Sequence, residues 1–216
     1  VNPALIQLTA ISKQLLTDKT LDAGFVSRLL TPPSDKYLLQ AMSPMDPLQL
    51  AQRKQLLEQA LGQGLAKTLK QVVAEHAATS PYQPDAQQSG PRAIRNLALG
   101  FLCQARDIEG KQLALAQYNH ATNMTDRLGS LRALLQFPEK DTAISAALSD
   151  FFIRFQSDPL VVDKWFALQA CSPGMTVESI KSLMAHPAFS RRNPNRLRAL
   201  LFQFCLNNPT GFHAPD

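Results

Sequence analysis

Asn193-Pro194-Asn195-Arg196-Leu197-Arg198-Ala199-Leu200-Leu201-Phe202-Gln203-Phe204-Cys205 is the stretch whose reading decides the fold. An Asx side chain followed by proline starts a helix: the side chain caps free backbone N–H groups, and proline at the first position gives up no hydrogen bond. With the start fixed, the faces follow. Leu197, Leu200, Leu201 and Phe204 take the i, i+3, i+4, i+7 spacing of a buried stripe, and Arg196, Ala199 and Gln203 fall opposite. Arg198 projects beside Phe202 and Cys205, inside the apolar arc. A guanidinium there needs a carboxylate, carbonyls or a water-filled cavity, because an unpaired buried charge is costly.

The same grammar recurs along the chain. Asp46, Asp158, Asn193 and Asn208 each precede a proline, and Asn123 and Thr176 are further caps. The spacing predicts helices from Asn2 to Leu16, from Leu21 to Leu30 before Pro32-Pro33, around Asp35 to Met42, and from Asp46 to about His76 with a bend or break at Gly62 and Gly64. Residues 78–90, rich in Ser, Pro and Gln, read as a loop. Beyond it the stripes Ile94/Leu97/Ala98/Phe101, Leu128/Leu131/Leu135 and Ile144/Ala147/Leu148/Phe151 continue through to Asn193, with no strand pattern. Short connectors make successive helices antiparallel neighbours. The expectation is an all-α chain: N-terminal helices over 1–77, the loop, and stacked antiparallel helical hairpins over 91–216. Together they form an α-solenoid of the HEAT or armadillo kind, truncated at its C-terminal end, with a closed bundle as the competing arrangement.

Composition narrows the functions. No apolar run approaches the roughly 18 residues a membrane helix needs. Cys103, Cys171 and Cys205, odd in number and set in helical apolar contexts, suit buried free thiols of a reducing, cytoplasmic compartment. The four histidines are scattered, with no His-Glu-x-x-His and no Cys-x-x-Cys, so neither a metal site nor a catalytic residue is expected in this chain. Residues 1–178 carry 17 Lys/Arg against 16 Asp/Glu, and residues 179–216 carry 5 against 1. The basic excess therefore lies at Lys181, Arg191, Arg192, Arg196 and Arg198. It could serve a free-standing module that binds a peptide or an acidic partner. Nucleic acid is not expected, since few aromatics accompany these arginines.

Four ordered motifs carry a resemblance. Asn123-Met124-Thr125-Asp126, Leu160-Val161-Val162-Asp163-Lys164-Trp165-Phe166-Ala167-Leu168-Gln169, Asn193-Pro194-Asn195-Arg196-Leu197-Arg198-Ala199-Leu200 and Phe212-His213-Ala214 resemble, in order and spacing, the C-terminal helical domain of bacterial aminopeptidase N. That enzyme is an alanyl aminopeptidase of the gluzincin zinc-metallopeptidase family. Arg92-Ala93-Ile94-Arg95-Asn96-Leu97 and the Asp46-Pro47 helix extend the likeness, and Pro215 stands where an acidic residue is usual. The resemblance implies a non-catalytic domain that caps a separate catalytic domain of the same polypeptide and limits the access of peptide substrates to the chamber, with zinc held by that other domain. It implies Arg198, and with it Asn195, as lining of the chamber and leaves Arg191, Arg192 and Arg196 as ordinary surface charge, while Trp165 reads as core because Val161, Val162 and Leu168 complete a broad apolar surface around it. Exposed apolar surface is expected on the isolated chain.

Overall fold

A computed structural model describes residues 2–137 and 141–214; Pro215 lies outside them. Within the described residues every element is helical. The order is α1 (Pro3–Thr17), α2 (Ala23–Leu30), α3 (Asp35–Gln40), α4 (Pro47–Gly64), α5 (Ala66–Glu75), α6 (Ala86–Gln104), α7 (Ile108–His120), α8 (Met124–Leu134), α9 (Thr142–Phe155), α10 (Pro159–Ala170), α11 (Val177–Met184), α12 (Pro194–Leu197), a π-helical turn (Arg198–Phe202), α13 (Gln203–Asn207) and α14 (Pro209–Phe212). The starts are chemically explicit. Asp46, Asp158, Asn193 and Asn208 each accept backbone N–H groups with proline at the first position.

One boundary differs from expectation. The 78–90 loop is shorter, because Asp85 caps α6 and accepts from Gln88 N at 2.8 Å, so the helix already runs from Ala86 through Pro91. Pro91, the sixth helical residue, lies past the first turn and withholds the backbone N–H that would otherwise bond the Gln87 carbonyl. The Asp46 helix does break, at Leu65, but Gly62 has a packing reason as well. A Cβ there would stand 2.2 Å from the Phe101 carbonyl oxygen and 2.7 Å from Ala105 Cβ, so glycine lets α4 lie directly on α6. On α1, Ser12 and Leu16 are buried while Leu8 and Ile11 are exposed.

The core is one continuous cluster running from Leu16 on α1 to Phe204 on α13. Helix α6 is its hub, touching α2, α4, α5, α7 and α8. Two buried ion pairs tie helices across the stack. Arg95 of α6 meets Asp126 of α8 at 2.6 Å and donates to the His76 carbonyl at 3.1 Å. Arg196 of α12 meets Asp163 of α10 at 2.5 Å, donates to the Ala188 carbonyl and lies over the Phe166 ring. Trp165 is core as expected and donates to the Leu148 carbonyl at 3.0 Å. Near the C-terminus, buried Asn208 caps α14 while its Nδ2 donates to the carbonyls of Ala170 and Ser172, and α14 packs against α4. The stack therefore curls until its last described helix meets its fourth.

Candidate functional site

That curl gives the helices an inner side. Three hollows lie between these helices and adjoin through shared lining residues. One of about 360 Å³ lies between α4, α6 and α8; one of about 430 Å³ between α8, α10 and α13; and one of about 230 Å³ between α4, the end of α10 and α14. Arg132 and Gln136 line both the first and second, Cys171 the second and third, and Glu58 and Gln104 the first and third. The result is a single groove with mixed polar walls.

Its charge is distributed by helix. At the α4 end stand Glu58, whose carboxyl burial pushes upward against the pull of Lys54, and the Lys54–Asp35 ion pair at 2.5 Å. Between α8 and α10 the lining contains, among the described residues, Arg132 and Lys164 but neither Asp nor Glu. Among the described residues neither cation forms an ion pair. Gln203 completes this part. Its Oε1 accepts from Asn207 Nδ2 at 2.6 Å and faces Cys171 Sγ at 3.6 Å, which leaves the carboxamide N–H₂ as the free end. Burial pushes the Cys171 thiol up while the charge of Arg132 works the other way, so the field of the α8 guanidinium reaches the end of α10. Leu128, Leu135, Ala167 and Leu168 supply the apolar floor.

The residues singled out by sequence lie elsewhere. Asn195 and Arg198 are both exposed, and neither lines a wall of the three hollows. Arg198 does sit on the arc of Phe202 and Cys205, but that arc faces outward: Phe202 is 51% exposed, Leu206 73%, and Cys205 is exposed rather than buried. Arg196, expected on the surface, is the buried one. Arg132 and Lys164 went unread although a signal existed. Arg132 stands four residues after Leu128 and three before Leu135, and Lys164 four before Leu168, so both carry a cation within an apolar arc. Among the described residues no three His, Cys, Asp or Glu side chains converge, so these residues do not fit a zinc ion. No described helix is long and apolar enough to cross a membrane.

Residues 3–216 match a family described as a domain of unknown function, DUF3458_C, with ARM repeats. The chain is 32% identical over 207 residues to aminopeptidase N of Escherichia coli (strain K12), covering 94% of this chain and 23% of that protein. It is 34% identical over 209 residues to aminopeptidase N of Haemophilus influenzae, covering 95% and 23%. A crystal structure of Legionella pneumophila aminopeptidase A in complex with aspartic acid superposes with a TM-score of 0.80 at 28% identity, over 99% of this chain and 26% of that one. The chain thus spans about a quarter of the length of the relatives it matches.

Proposed function

Because the chain belongs to the DUF3458_C family of ARM-repeat domains and is homologous to the C-terminal part of bacterial aminopeptidase N, we propose that it is the non-catalytic helical domain of a zinc aminopeptidase. It covers the catalytic domain of the same polypeptide and limits which peptides reach the chamber. The observation that carries this reading is the groove on the inner side of the curl, bounded by α4, α6, α8, α10 and α13–α14 and lined by polar groups that water or a peptide backbone can satisfy. A rigid stack admits an extended peptide and excludes a folded protein by shape alone. The residues that would hold zinc and activate water for peptide hydrolysis belong to the other domain.

The alternative of a basic docking face is weakened by the burial of Arg196 against Asp163, which removes one of its charges. The division of labour has a direct test. This chain alone should hydrolyse no aminoacyl anilide and retain no zinc after dialysis, whereas the full-length polypeptide should do both. Stoichiometric zinc with turnover by this chain would overturn the proposal.

A further inference from the structure

The basic part of the groove has donors in excess of acceptors. Arg132, Lys164 and Gln203, with its free carboxamide end, line one hollow of about 430 Å³ that has no Asp or Glu in its lining among the described residues, while Gln136 is held by a 3.3 Å bond to the Arg132 carbonyl. Arg132 and Lys164, both exposed and in no ion pair among the described residues, stand with an amide donor over an apolar floor of Leu135 and Leu168, an arrangement that complements a carboxylate attached to a short apolar stem. Gln203 is also fixed, since Asn207 and Cys171 occupy its oxygen, so its donor costs little to orient.

We propose that this hollow is a peptide-carboxylate subsite, in which Arg132, Lys164 and Gln203 hold a carboxylate of a bound peptide well away from its N-terminus. The inference rests on the reading of the groove as a peptide passage and adds the chemistry of what it prefers. Carboxylate could come from the peptide's own C-terminus or from an Asp or Glu side chain. Because cations on α8 and α10 flank the hollow from opposite walls, an anion there also bridges two helices that otherwise touch little.

The experiment uses the full-length enzyme and three peptides of one length: a free acid, its C-terminal amide, and the amide with an internal Asp. Wild type should favour a carboxylate-bearing peptide over the plain amide by about tenfold in kcat/KM, the scale of one charge-assisted hydrogen-bonded contact. The free-acid and internal-Asp arms tell the two sources apart. Arg132→Gln with Lys164→Gln should bring that ratio close to one, and Lys164→Arg should keep it. No preference in wild type, or a preference unchanged in the double variant, would overturn the subsite. Discrimination between short and long amides reports the access reading independently, so its persistence without a carboxylate preference would sink this inference alone.

Discussion

Arg196 and Arg198 stand two residues apart and meet opposite fates, for a reason that lies in the backbone between and beyond them. Arg196, Leu200, Phe204 and Asn208 are all buried, a spacing of four where an α-helix repeats every 3.6. The π-helical turn over Arg198–Phe202 supplies the extra residue that keeps this spacing of four in register, with Leu200 and Phe204 buried as the stripe predicted. Burial of Arg196 follows because Asp163, the Ala188 carbonyl and the Phe166 face are already in place. Arg196→Ala should therefore destabilise the chain by about 3–5 kcal/mol, as removal of one partner from a buried pair does. Arg198→Ala should change stability by less than about 0.5 kcal/mol, as at other exposed sites. Denaturant unfolding of both variants checks this; equal losses would return Arg198 to a buried role. Helical periodicity alone put Arg198 in the apolar arc and Arg196 opposite, and without the π turn it did not show that Arg196 is the arginine buried in this chain.

At the scale of elements, starts were legible and ends less so. Asx-Pro pairs mark helix N-termini because capping and proline geometry are local chemistry, and each of those starts is observed. The ion pairs Arg95–Asp126 and Arg196–Asp163 are tertiary facts, and no spacing rule joins residues 31 or 33 positions apart. Nor could propensity tell the glycines apart. Gly62 lets α4 touch α6, whereas a Cβ on Gly100 meets nothing within 4 Å, since it faces the groove. Gly100→Ala should stabilise by about 0.5–1 kcal/mol through helix propensity. Gly62→Ala should destabilise by about 1–3 kcal/mol through overpacking. Unfolding midpoints at unchanged m-value measure both, and the same sign for the two would contradict the placement of α4 on α6.

For the whole molecule, the alternation of helices and short connectors made a stack foreseeable, but the curl that brings α14 onto α4 depends on contacts such as Asn208 with the end of α10. The packing of α8, α10 and α13 brings Arg132, Lys164 and Gln203 to one hollow, which is why they carried no joint signal in the sequence. Apolar surface at Phe202, Leu206 and Phe212 remains exposed, as expected for this chain on its own. The groove's role is tested most directly by narrowing it. In the full-length enzyme, Gly100→Trp sets its Cβ where nothing lies within 4 Å and extends a ring into the hollow that Gly100 and α8 line. If the groove is the peptide passage, kcat/KM should fall by about tenfold for a long peptide, equivalent to roughly 1.4 kcal/mol, and stay near wild type for a dipeptide. An equal effect on both substrates, or none on either, would contradict the account.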